Sequence, residues 1–462
     1  MHSQLLRKIP KVRLWLAAVL SLLILLPANG LALVAYDKMY VEDDAGISTT
    51  AIPKSYLLAA AQTIFSKDAL TLNAPCDLFV SSDDYVFVAD KGNNRIIKLN
   101  NDLEFEKMFD NSGHGGFKEP ESVFVDEYGG IYVADTGNSR IIKLDSEGRF
   151  VEEFGTPQSA LLGDNFVFNV RKVSVSNVGY IYALKYQYVM QMDAYNNFRG
   201  YIGATEVGRD LWYTVRYLFS NAEQRKVMLK REPASCYSFA VGEDGSLYVT
   251  TADRSGGELK RINSVGVNIY PKKTPFGLNV ANDSNAIIAP QYVDVAVDKN
   301  ENVVLLESVL GKISIYNNQG ENLCVFGGKG STRETFLNPV AVDIDSQQNI
   351  FVLDQKDGSV KKFAPTRFMR TVYTALSLYD AGQYQAAENY WEEILSRHES
   401  YSLANAGMAS LKFKQKDYAA AMDYYYAAND REGYTKAFTK NEMVVFREKF
   451  TFILLTACAV LA

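Results

Sequence analysis

Two carboxylates at matching places in a repeat are the first residues whose type and spacing could do chemistry. Asp90 and Asp135 stand 45 positions apart, and each is followed at the same offsets by a glycine, an asparagine and an arginine: Gly92, Asn93 and Arg95 after the first, Gly137, Asn138 and Arg140 after the second. Carboxylates beside arginines are raw material for general acid–base work. Yet each Asp closes an apolar run just before a Gly-Asn turn, where a short acceptor holds backbone N–H groups and the Arg that follows. Catalysis needs one asymmetric constellation, whereas this role recurs, with Asp354 restoring it in a late unit, so a turn role is expected for all three. A second set is less regular. Glu121 and Arg171 lie at the start of the first strand of their units, with Tyr237 aligned to them. They are the candidates for a binding rim, against the plainer alternative of an ordinary mixed polar lining.

Other chemistries are poorly supplied. The histidines, His2, His114 and His398, fall in a leader, a loop and a helix, and the cysteines at 76, 236, 324 and 458 form no CxxC pair. Neither a metal ribbon nor a redox dithiol is encoded. No GxSxG, HExxH, Walker or EF-hand spacing occurs, so no cofactor and no metal is expected. The net charge of −6, with no concentrated Lys/Arg face, argues against a nucleic-acid partner.

The elements that must position these residues repeat. The stretch from Pro120 to Phe154 alternates Val, Ile, Tyr and Phe between Gly, Asp and Asn punctuation, the pattern of consecutive antiparallel strands. It matches the stretch 45 residues earlier without a gap, Pro120 falling on Pro75 and Leu144 on Leu99. Later units keep the pattern while the Asp changes to Lys185, Thr251 and Glu307 in the third, fourth and fifth. Sheet units at this period predict a propeller of six blades over residues 72–365. Cys76 and Cys236 open the first and fourth units, on opposite sides of such a ring, which opposes a disulfide between them. The sixth unit runs into a helical pattern with no room for its outermost strand. Within the segment 37–71, a strand at Tyr56 to Ile64 can latch onto that edge, which would otherwise expose an unpaired ladder.

Residues 203–233 interrupt the spacing with a helical insertion that carries Trp212, Tyr213 and Tyr217. It is read as a helix packed on the blades, with a docking surface for protein or glycan as the functional alternative. Over residues 366–449, Ala375, Gly382, Tyr384, Ala387 and Trp391 are echoed 34 positions later by Ala409, Lys416, Tyr418, Ala421 and Tyr425, with a further helix from Tyr434 to about Lys449. Small residues at this spacing predict paired helices. Residues 1–36 carry four basic residues and no acid before the apolar run Leu14 to Leu26, a signal peptide or signal anchor that exports the domain behind it. The apolar tail, residues 450–462, is expected to begin a membrane helix, with packing against the helices as the alternative.

The repeated core carried by Val88 to Leu99 and Val133 to Leu144 resembles the NHL-repeat family of six-bladed propellers, and the 34-residue echo resembles tetratricopeptide repeats. The order of elements is similar to exported bacterial NHL-repeat proteins that continue into a membrane domain of the Yip type. The resemblance implies a mainly β fold with an α-helical C-terminal part: a six-bladed β-propeller followed by a short tetratricopeptide-like α-solenoid. The function expected on this basis is that of a non-enzymatic binding or scaffold protein outside the cytoplasmic membrane. Its partner would be a protein or a cell-envelope glycan, with membrane association through the terminal apolar segments. The alternative is an exported metal-dependent enzyme of the lactonase-like or lyase-like propeller type.

Overall fold

Runs of Val, Ile, Phe and Tyr cut by Asp, Asn and Gly form short strands that each pair antiparallel with the next. A computed structural model describes residues 39–42, 49–65, 70–110, 113–159, 162, 166–202, 220, 235–253, 258–271, 280–281, 287–288 and 290–461. Its strands build six blades. Blade 1 is Asp77–Val80, Val86–Asp90, Arg95–Leu99 and Phe105–Phe109, and blade 2 is Pro120–Val125, Ile131–Asp135, Arg140–Leu144 and Phe150–Phe154. Blade 3 is Lys172–Val175, Ile181–Lys185, Tyr188–Met192 and Phe198–Ile202. Blade 4 has three strands among the described residues, Cys236–Val241, Leu247–Thr251 and Leu259–Ile262. Blade 5 begins with Tyr292–Val297, Val303–Glu307, Lys312–Tyr316 and Asn322–Gly327; blade 6 begins with Pro339–Ile344, Ile350–Asp354 and Ser359–Pro365.

The segment before the ring completes two blades. Tyr56–Gln62 pairs with Ser359–Pro365 and becomes the fourth strand of blade 6. Ahead of it, Met39–Glu42 and Thr49–Ile52 form a hairpin whose first strand adds to Asn322–Gly327, so blade 5 grows to six strands. The sequence pattern places one strand in this segment; the structure has three among the described residues. Four-residue strands with no counterpart elsewhere in the chain leave too little periodicity to be read.

Sheet faces supply the core. Phe87 and Ile96 of blade 1 pack on Val123 and Val133 of blade 2, and Val88 and Ile97 on the other face of blade 1 pack on Phe351 and Leu353 of blade 6, which closes the ring. Full burial of each such side chain contributes about 1.5–3 kcal/mol. The closing seam is also tied by polar groups. Ser346 N–H donates to Asp84 Oδ1 at 2.9 Å, Asn101 Nδ2 to Asp345 Oδ2 at 2.9 Å and Lys362 Nζ to Asn101 O at 3.0 Å. Cations laid on the aromatic side chains of second strands recur from blade to blade: Lys98 on Phe87, Lys143 on Tyr132, Arg261 on Tyr248 and Lys362 on Phe351, pairs that face each other across neighbouring strands.

Five helices come after the ring: Arg367–Asp380, Tyr384–Leu395, Ser402–Lys414, Tyr418–Ala427 and Arg431–Leu461. The first three share a core with blades 5 and 6, in which Met369, Trp391 and Met408 belong with Ile52, Tyr56 and Phe363. Two hydrogen bonds pin the junction, Tyr56 to Tyr373 through their hydroxyls at 2.8 Å and Tyr401 OH to Leu323 O at 3.1 Å. Gly382 and Lys416, 34 positions apart, both take left-handed backbone, with φ of 74° and 65°. Each follows the end of a helix, where such a residue lets the chain reverse. The last helix runs without a break through Lys449 and Phe450; the change to apolar residues there is not an element boundary. Among the described residues no helix is long and apolar enough to cross a membrane. Residues 1–36 and, apart from Ser220, the insertion 203–233 lie outside the described residues.

Candidate functional site

The first strand of each blade lies at the inner edge of its sheet, so part of its backbone has no strand to pair with. One ring of residues answers that. Asp77, Ser122, Lys172, Ser238, Asp294 and Ala341 occupy equivalent positions in blades 1 to 6, opposite Ala89, Ala134, Leu184, Thr250, Leu306 and Leu353. Their polar side chains reach the next blade. Val123 N–H donates to Asp77 Oδ2 at 3.3 Å, Val173 N–H to Ser122 Oγ at 3.2 Å and Val342 N–H to Asp294 Oδ2 at 2.8 Å. Two residues further along blade 6, Asp343 Oδ2 accepts from Val80 N–H at 2.7 Å and links the last blade to the first.

Lysine cannot accept a hydrogen bond, and Lys172 does something else. Its ammonium crosses the channel to Asp294 Oδ1 at 2.6 Å and Asp77 Oδ1 at 3.4 Å, joining blades 3, 5 and 1. Ser238 Oγ donates to the same Asp294 oxygen at 2.5 Å. Burial alone would lower the affinity of Lys172 for its proton, but Asp294 and Asp77 reverse this, and the pKa is raised. The amine is held charged and is unsuited to act as a nucleophile. Burial raises Asp77, with Lys172 working against it. Burial also pushes Asp343 up to about 7, opposed by the N–H groups of Val80 and Ile344 and by Lys172. The channel that Asp77, Lys172 and Asp343 line encloses about 90 Å³, room for a few water molecules and below the about 300–1,000 Å³ of small-molecule sites.

The end of the channel where first strands begin is charged. Glu121 accepts from Lys91 Nζ at 2.6 Å and lies 3.4 Å from Arg171 Nε, while Glu119 is 3.6 Å from the same lysine. Lys91 is raised above its ordinary pKa: burial works against the proton and the bond to Glu121 outweighs it. Around this end stand the turns. Asp90, fully buried, accepts from Asn73 N–H at 2.7 Å, Asn93 Nδ2 at 2.8 Å and Arg95 Nε at 2.7 Å. Asp135 repeats the pattern with Lys118 N–H at 2.7 Å, Asn138 Nδ2 at 2.8 Å and Arg140 Nε at 2.8 Å. Asp354 accepts from Leu337 and Asn338 N–H at 2.6 and 2.9 Å. These carboxylates fasten the entering loop to its blade. Gly92 and Gly137 lie so close to that loop that a Cβ would sit 2.6 Å from Asn73 O and Lys118 O.

The opposite end is aromatic and open. A cavity of about 360 Å³ is lined by Phe79, Phe124, Tyr128, Tyr132, Val175 and Val241 at the turns of blades 1 to 4. Phe79 and Phe124 lie 4.8 Å apart, and Phe124 tilts against Tyr132 at 6.2 Å. The Tyr128 side chain is 91% exposed. Asp126 and Lys143 pair loosely at 3.8 Å, and Asp126 Oδ1 accepts from Tyr128 and Gly130 N–H. Glu127 and Glu243 complete the rim, both exposed.

Of the rim residues expected from sequence, Glu121 and Arg171 meet each other at the charged end, and Tyr237 is half-buried at the equivalent place in blade 4. Trp212, Tyr213 and Tyr217 lie outside the described residues. The residues one position further on are Ser122, Lys172 and Ser238, of which Lys172 carries its charge across the channel. Sequence reasoning passed over Asp77, Lys172, Asp294 and Asp343, although charged residues in apolar first strands of blades 1, 3, 5 and 6 were a signal. A bulge at the start of the first strand in blades 2, 4, 5 and 6 shifts the pairing there, and a bulge re-aims side chains by local geometry that periodicity does not carry. Cys76, Cys236 and Cys324 are free thiols. Among the described residues no group of three His, Cys, Asp or Glu is placed to hold a metal ion.

No protein-family model matches the chain, and no curated protein sequence does. Among solved structures it is similar to a streptogramin B lyase, at 13% identity over 66% of this chain and 98% of that one, with a TM-score of 0.40. It is similar to virginiamycin B lyase from Staphylococcus aureus at 11% identity over 67% and 99%, TM-score 0.40. A provisionally named gluconolactonase matches at 9% identity over 68% and 94%, TM-score 0.42.

Proposed function

We propose that this chain is a binding or scaffold protein whose propeller recognises a partner at the aromatic end of its channel. One observation carries the reading: the channel centre is filled by an ammonium locked between two carboxylates, whereas the aromatic end offers a cavity four times larger, about 360 against about 90 Å³. The groups that could act as bases in the channel are occupied in joining blades, whereas Phe79, Phe124, Val175 and Val241 pack on the blade cores with one side and line the open mouth with the other. Partners of this kind are a protein or a cell-envelope glycan. The basic start of the chain and its long apolar run support a location outside the cytoplasmic membrane and in association with it. The helical part, which resembles tetratricopeptide repeats in its spacing, adds a second surface for protein contact.

Asp343 supports a second reading. A carboxyl pushed up to about 7 that lines a channel has the proton affinity of a general acid or base near neutrality, so a lactonase-like or lyase-like enzyme is the alternative. Screening the full chain against peptides and oligosaccharides, alongside lactone and ester turnover, separates the two. Binders that are lost in Tyr128→Ala and retained in Asp343→Asn support recognition at the mouth. Turnover abolished by Asp343→Asn and untouched by Tyr128→Ala overturns it.

A further inference from the structure

The aromatic mouth has an apolar floor and a rim whose charge is unbalanced. Phe79, Phe124, Val175 and Val241 are half-buried and line the floor. Three carboxylates stand on the rim, and one cation, Lys143, faces them. Asp126 takes that cation and two backbone N–H groups. Glu127 and Glu243 are exposed at the turns of blades 2 and 4, and no cation of the described residues lies within ion-pair distance of either. The chain as a whole carries a net charge of −6, so the countercharge is not supplied from elsewhere on it by long-range excess.

Rings on this side of the blades already receive ammonium groups: Lys98 sits 3.6 Å above Tyr85 and Lys143 4.9 Å above Tyr132. A cation over a ring face is attracted to it, more so beside a carboxylate and away from bulk water. Tyr128, with 91% of its surface free, offers such a face with no lysine on it among the described cation–ring pairs. A neutral sugar would leave both glutamates without a countercharge, and a nucleic acid would be repelled by them.

Resting on the reading of this mouth as the recognition site, we infer that its partner is a protein segment presenting an apolar side chain flanked by lysine or arginine. The apolar group enters the cavity over the packed pair Phe79 and Phe124, and the flanking cations meet Tyr128, Glu127 and Glu243. Such charge complementarity sets specificity and association rate more than affinity.

A random peptide library displayed on phage, selected on the full chain and counter-selected on Tyr128→Ala, tests this. The expected winners carry Lys or Arg on both sides of an apolar residue, weaken about tenfold on the Glu127→Gln, Glu243→Gln double variant as two exposed pairs would, and lose affinity as salt rises. Winners that depend on Tyr128 but are neutral or acidic overturn the inference and leave the mouth as a binding site. The same holds if a neutral oligosaccharide binds in a Tyr128-dependent way while no peptide is selected. If nothing selected depends on Tyr128, the mouth is not the recognition site and both readings fall.

Discussion

The two ends of the channel are built from the same six strands and differ in what their carboxylates face. At the charged end Glu121 meets Lys91 and Arg171, and Asp90 and Asp135 each hold an arginine, an asparagine and a loop N–H. Every one of these charges is used in holding the ring together. At the aromatic end the floor is apolar, the Tyr128 ring is bare, and Glu127 and Glu243 point at no cation of the described chain. Between them Lys172, with Asp77 and Asp294, closes the passage. The difference teaches that a polar channel lining is not by itself a site: what matters is whether the polar groups already have partners.

Breaking the barrier between the two ends should have the largest effect. Lys172→Met leaves Asp77 and Asp294 buried without a cation, and removing one partner of a buried pair costs about 3–5 kcal/mol. Urea unfolding should show that loss, and adding Asp294→Asn should return part of it, as coupled neighbours do. Full additivity of the two changes would mean that the ammonium is not held by Asp294.

Next is the pH response of Asp343. Its folded pKa of about 7 lies above the ordinary carboxyl value of 3.8, so the folded state binds the proton more tightly than the unfolded state. The group's contribution to stability is full below about pH 4 and lost as pH rises through about 7, up to roughly 4 kcal/mol in all. Asp343→Asn should therefore gain on the parent progressively between about pH 4 and 7 and hold a level advantage above that. A constant offset across that range would place the proton elsewhere.

Smaller effects sharpen the contrast between the ends. Arg171→Gln removes a half-exposed pair with Glu121, which keeps Lys91, and should cost under about 1 kcal/mol; thermal melting checks it. Tyr128→Ala removes a side chain that packs on little and should leave the melting temperature within about 1 °C of the parent, as surface changes do, while binding at the aromatic end is lost. A melting temperature lowered by several degrees would make Tyr128 a structural residue.

The ring itself was legible because blades 1 and 2 repeat residue for residue and blade 6 restores Asp354. The strand periodicity survives in blades 3 to 5, where Lys185, Thr251 and Glu307 replace the turn aspartate. The hairpin Met39–Glu42 with Thr49–Ile52 was not legible, because a pair of four-residue strands takes its stability from the edge of blade 5 and not from its own pattern. Of the residues that close the channel, Lys172 was missed by one position, and Asp77 and Asp294 were not marked. Glu121, Arg171 and Tyr237 mark the right end of the right strands; in blades 2 and 4 a bulge decides which of two adjacent residues turns inward, and in blade 3 the regular alternation of the strand does. The aromatic mouth was missed for another reason: Phe79, Phe124 and Tyr128 read as ordinary strand and turn residues until the ring brings the turns of four blades together.

Hydrogen–deuterium exchange of the full chain, measured with and without a ligand selected on it, tests recognition at the aromatic end most directly. Protection is predicted in the turns 81–85, 126–130, 176–180 and 242–246 at the aromatic end, with exchange unchanged in 71–75, 90–95, 116–120 and 135–140 at the charged end. Protection confined to the charged end, or to strands around Lys172 and Asp343, would contradict it.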